Sequence, residues 1–181
     1  NIYPTEDDWH DMNVVNETGA NAGRYMYTTH EVRLGASAAT EWNTLGGAVS
    51  VVDLETGVSQ IIAQSTDYSA VDGITWTPWG SIVFAEENGV DSQFFELVLN
   101  ADMMSGKVHE RTGLGAISHE GIQVDADGNV YVVDEQRGRT SSCIDTNGIG
   151  EGVTNIGDTQ LPCGGGIYKF VPNTYGDLSA G

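Results

Sequence analysis

The feature that most restricts what this chain can become is an internal repeat. Residues 72–87 (DGITWTPWGSIVFAEE) align without a gap on residues 120–135 (EGIQVDADGNVYVVDE), at an offset of 48 residues. Gly73 falls on Gly121, Ile74 on Ile122, Gly80 on Gly128 and Glu87 on Glu135, and the acids Asp72 and Glu86 fall on Glu120 and Asp134. Each copy reads as a short strand, a tight turn ending in glycine, and a second strand. In Asp125-Ala126-Asp127-Gly128-Asn129 the aspartate can accept backbone hydrogen bonds and the glycine can take the positive φ that other residues resist. The strand that follows, Val130-Tyr131-Val132-Val133, is β-branched and aromatic. A weaker third copy of the second half lies upstream, from Gly23 through Tyr27-Thr28-Thr29-His30-Glu31. A period near 48 residues with this pattern predicts the blades of a β-propeller.

Outer strands follow each inner unit, at Gly47-Ala48-Val49-Ser50-Val51-Val52-Asp53, at Phe95-Glu96-Leu97-Val98-Leu99 and at Gly166-Ile167-Tyr168-Lys169-Phe170-Val171. The expected organisation is all-β: an irregular acidic segment over 1–22, then blades at about 23–65, 72–112 and 120–181, with 138–165 as a long loop. Closed propellers have at least four blades, so these three are expected to be part of a larger ring, completed by further blades or by another chain.

Charge narrows the function. Seven Lys and Arg stand against 26 Asp and Glu, a formal charge of −19. Such a chain repels phosphate backbones and anionic lipid surfaces, so nucleic acid and membrane are poor partners. No stretch approaches the 18 apolar residues of a membrane helix. Most of the carboxylates serve solubility, but equivalent blade positions are related by rotation about one axis. Acids at the ends of inner strands therefore converge on the channel mouth. The candidates are Glu31, Glu86, Glu87, Glu120, Asp134 and Glu135. Converging carboxylates repel one another unless cations sit among them, and oxygen-only donors suit calcium, magnesium, manganese or ferric iron. The competing reading is that these acids cap turns or accept backbone N–H groups between blades. His30 and His119, each preceding a Glu, read as bridges between blades or as supporting groups of the same site.

Cys143 and Cys163 lie in one Gly- and Thr-rich stretch, and a disulfide there closes a loop of about 20 residues, worth roughly 3 kcal/mol. That bond implies an oxidising compartment, hence a secreted, extracellular or periplasmic protein. The chain opens at Asn1 without a signal-peptide pattern, as a mature or trimmed product would. Asn16-Glu17-Thr18 fits a glycosylation sequon. Trp76 and Trp79 read as blade packing. There is no HExxH, no phosphate-cradling GxxxxGK[ST] and no GxSxG.

The ordered series Thr77-Pro78-Trp79-Gly80, Ala85-Glu86-Glu87-Asn88, Ser118-His119-Glu120-Gly121 and Val130 to Glu135, preceded by Tyr27 to Glu31 and followed by Gly166 to Pro172, resembles the PhoX family of secreted alkaline phosphatases. The resemblance covers most of residues 23–173. It implies a six-bladed exported propeller that uses calcium and iron to hydrolyse phosphate esters, with Glu31, Glu86 and Glu120 as metal ligands. The family's active members carry a cysteine, an iron ligand, where this chain has Ala85. Calcium is therefore the expected cofactor and iron is not. The rival reading is a non-catalytic, calcium-stabilised propeller used for binding or assembly. A likeness to calcium-dependent, regucalcin-like lactonases fits the motif order less well.

Overall fold

The computed structural model describes residues 9–32, 46–135, 153–156, 159–162 and 166–181. They form antiparallel sheets almost throughout. The first sheet is a four-stranded meander of β1 (Trp9–Val15), β2 (Tyr25–Glu31), β3 (Ala48–Asp53) and β4 (Ser59–Gln64). The second repeats that order with β5 (Val71–Trp76), β6 (Ile82–Glu86), β7 (Phe94–Leu99) and β8 (Gly106–Glu110). In the third, β9 (His119–Val124) pairs with β10 (Val130–Asp134), and β10 pairs with β13 (Ile167–Phe170). Between them β11 (Val153–Ile156) and β12 (Thr159–Pro162) form a separate hairpin.

The first strands of the three sheets lie side by side, with β5 packed against both β1 and β9. These are propeller blades, each an up-and-down sheet that begins at the centre. The described sheets form no closed ring.

Side-chain alternation explains why β6 reads as an unbroken apolar run. Ile82 and Phe84 face the first blade and join Tyr27, Val49 and Val51 in one core. Val83 and Ala85 point the other way and meet Ile122, Val130, Val132 and Leu178 in a second core. A strand buried on both faces needs no polar alternation. Trp76 stacks on Tyr27 across the first blade junction, at 6.2 Å between centroids. Trp79 donates to Glu96, which also receives Ser81 and the Arg111 guanidinium at 2.7 Å. Both tryptophans are packing groups, as expected.

Three sequence expectations need correction. Residues 9–15 are not irregular: they are the first strand of the first blade, which therefore starts well before residue 23. Their alternation is broken by a bulge, and the strand is largely exposed, so neither burial nor period marks it. The segment 138–165 is not all loop, because it contains the β11–β12 hairpin. The sequon asparagine, Asn16, is 1 % exposed. Its amide donates to the Asn21 carbonyl and its oxygen accepts the Tyr25 N–H, so it holds the β1–β2 loop closed rather than presenting itself for glycosylation. Cys143 and Cys163 lie outside the described residues.

The β9–β10 turn behaves as its residues suggest. Gly128 has φ +84°, and the Asp125 carboxylate accepts the N–H groups of Asp127 and Asn129. It is a hairpin turn and not a calcium loop.

Candidate metal centre

The start of β5, the end of β6 and the start of β9 meet at one end of the blades. β5 carries a bulge there: Val71 pairs with Glu86 and Ile74 with Phe84, so Asp72 and Gly73 together oppose Ala85. β9 has the same bulge, with Glu120 and Gly121 opposing Val133. A bulge adds a residue and re-aims its side chain out of the ladder. Here it brings Asp72 and Glu120 together across the blade junction. With Glu87, just past the end of β6, they form a carboxylate trio whose nearest oxygens all lie within 4.8 Å of one another.

The electrostatics of the trio are severe. Asp72 is 3 % exposed, and its Oδ1 has no hydrogen-bond partner. Burial pushes its pKa up to about 8, aided by the negative charges of Asp11 and Glu120, by a hydrogen bond with Glu120 and by the charge of Glu31. A buried, unpartnered carboxylate oxygen facing two more carboxylates is poorly matched to protein alone. It is well matched to a hard cation with oxygen ligands. The donor set fits calcium or magnesium and offers no nitrogen or sulfur.

The other expected residues divide clearly. Glu31 lies close enough to Asp72 to act on its charge. Glu86 does not turn toward the trio. Its Oε1 accepts the Ser69 N–H and its Oε2 accepts the Gln93 N–H, both at 2.8 Å, so it ties the β4–β5 linker to the β6–β7 loop. Asp134, its repeat equivalent, accepts the Ser118 N–H. Both match the backbone-capping reading. The backbone N–H of Glu135 bonds the Ser118 carbonyl, as that of Glu87 bonds Ala70. His119 is fully buried with Nδ1 3.3 Å from the Glu86 carbonyl, a bridge from β9 to β6, and burial lowers its pKa. His30 Nε2 lies 2.7 Å from Ser50 Oγ of the same blade. Asp72 was not among the candidate residues, although the repeat aligns it with Glu120 and both lie at the start of an inner strand.

The dual role of Glu86 can be checked. Glu86→Ala leaves two largely buried N–H groups unsatisfied and is expected to cost about 2–4 kcal/mol. Urea denaturation measures that loss. Calcium titration of the same variant is expected to give an affinity within about threefold of wild type, since the side chain points away from the trio.

Four basic side chains fall among the described residues. Of those described, Arg24 pairs with Asp53 and Glu55, Arg111 pairs with Glu96, Lys169 lies over the Tyr131 ring, and Lys107 is on the outermost strand β8. A cleft lined by Asp91, Gln93, Phe94, Glu110 and Thr112 opens at the same end of the blades, and its charged groups are acidic.

No protein-family model matches the chain, and no curated protein matches it. The PhoX likeness of the motifs thus has no family model behind it. A crystal structure described as a candidate gluconolactonase is similar, with a TM-score of 0.42 and 14 % identity over 77 % of this chain and 44 % of that one. The chain spans less than half the length of that structure.

Proposed function

We propose that this chain is the cation-binding part of a β-propeller, in which Asp72, Glu87 and Glu120 hold a hard divalent cation, calcium first among them. The observation that carries this reading is the buried Asp72 oxygen without a partner, set among two other carboxylates. A bound cation would neutralise their repulsion and polarise an oxygen of any ligand that joined it. Calcium at the millimolar levels found outside cells suits such a site, in keeping with a secreted protein. Titration calorimetry with calcium chloride on the chelated protein is expected to show saturable binding that Asp72→Asn weakens at least tenfold. Absence of saturable binding up to about 10 mM would rule the reading out.

The finer reading is phosphomonoester hydrolysis of the PhoX type, supported by the motif series from Thr77 to Glu135. A chelator-sensitive release of phosphate from a generic phosphomonoester tests it. The alternative, a calcium-stabilised propeller without catalysis, is favoured by Ala85, which offers no donor and lies wholly buried in the second core. Calcium that raises the melting temperature while no phosphate is released would decide for that alternative.

A further inference from the structure

The bulge that presents Asp72 and Glu120 occurs a third time. In β1, His10 pairs with His30 and Asn13 with Thr28, so Asp11 and Met12 together oppose Thr29. Asp11 in the first blade therefore stands where Asp72 stands in the second and Glu120 in the third. Every innermost strand of the described structure carries an acid at the first position of its bulge. The sequence repeat does not show this, because residues 9–15 share no motif with the other two copies.

The first two bulges are also fastened together. The Thr29 hydroxyl accepts the Met12 N–H at 3.1 Å and donates to the Asp72 carbonyl at 2.6 Å. One side chain thus links the backbone beside Asp11 to the backbone of Asp72. The charge of Asp11 is felt at Asp72, ranking just after burial among the influences on that carboxyl. Yet β1 is the most exposed of the inner strands. It is exposed or half-buried along its whole length, and Trp9 is 59 % exposed.

We infer that Asp11 is a further ligand of the cation held by Asp72, Glu87 and Glu120, and that the ion clasps the exposed first strand β1 to β5 and β9. The inference rests on the cation reading above and adds a third blade to it. Without the ion, Asp11 only adds repulsion next to Asp72. With it, the same charge becomes an attraction that holds β1 against the neighbouring blades, because calcium takes six to eight oxygen ligands and three carboxylates leave positions open for direct ligation by Asp11. The Thr29 bridge sets the register in which that closure occurs.

The test compares calcium binding of the full chain with that of Asp11→Asn, Asp72→Asn and Asp127→Asn, the last a charge-matched control in the β9–β10 turn. Asparagine is isosteric and Asp11 is exposed, so the variant keeps its fold. Asp11→Asn is expected to weaken calcium about five- to tenfold, against less than about twofold for Asp127→Asn. Amide exchange adds a readout that bulk charge would not move. Calcium is expected to slow exchange over residues 9–15 in wild type and in Asp127→Asn, but not in Asp11→Asn. An Asp11→Asn affinity equal to that of Asp127→Asn, or unchanged calcium protection of β1, overturns the inference while Asp72→Asn still confirms the cation site. Failure of wild type to bind calcium, or of Asp72→Asn to weaken it, overturns both.

Discussion

Gly73→Ala is expected to push the second and third blades apart at the carboxylate trio and to abolish calcium binding. A Cβ on Gly73 would sit 2.1 Å from the Glu120 carbonyl oxygen and 3.1 Å from the Ile122 side chain. The first of these is backbone, which cannot swing aside as a side-chain tip can. Relief requires β9 to retreat from β5, which opens the second core and carries Glu120 away from Asp72. Forced overpacking of this kind costs about 3 kcal/mol. Gly121→Ala is the matched control. It occupies the equivalent bulge position, but its Cβ would meet only Val133 Cγ2 at an ordinary 3.6 Å. Urea denaturation and calcium titration of the two variants measure the difference. Equal stabilities, or calcium binding retained in Gly73→Ala, would show that the close approach of β5 and β9 does not build the site.

The second large effect is a loss of stability as pH rises in chelated protein. The Asp72 carboxyl titrates near 3.8 in the unfolded chain and near 8 in the fold. The folded state therefore binds more protons over that interval. Its contribution is fully present below about pH 4 and is lost as pH climbs through 8. Between pH 6.5 and 8.5 the expected loss is about 2 kcal/mol, or roughly 4–8 °C in melting temperature. That window avoids the carboxylates with opposite slopes. Asp53, Asp102, Asp125 and Asp177 have lowered pKa values, so their stabilisation is lost only as pH falls below the usual carboxylate range. His119 is held below 6.5, so its small opposing contribution is complete about one pH unit above that value. Millimolar calcium is expected to restore the loss at pH 8.5. Asp72→Asn is expected to flatten the pH dependence and to remove the response to calcium. A melting temperature that stays constant from pH 6.5 to 8.5 without calcium would contradict the placement of Asp72.

Much of the architecture was legible in the sequence because its determinants are local. The turn at Asp125 to Asn129 is specified by one carboxylate and one glycine, and β6 and β10 by runs of apolar and β-branched residues. Spacing of the repeats then implied blades. The first strand was not legible: its bulge breaks the period, and its exposure leaves no apolar face to read.

The candidate site divides in the same way. The sequence by itself determined that carboxylates recur at the inner-strand ends of successive blades, with Glu31, Glu87 and Glu120 among them. Only the tertiary structure decided which acids face one another. Glu86 and Asp134 look like ligands on the page, yet each is turned to neighbouring backbone N–H groups. Asp72 looks like the start of a strand, yet a bulge delivers it, buried, to Glu120 of the next blade. Strand and turn formation depend on residues a few positions apart. The meeting of Asp72 with Glu120 depends on where two bulges bring two blades together, and no short stretch of sequence encodes that.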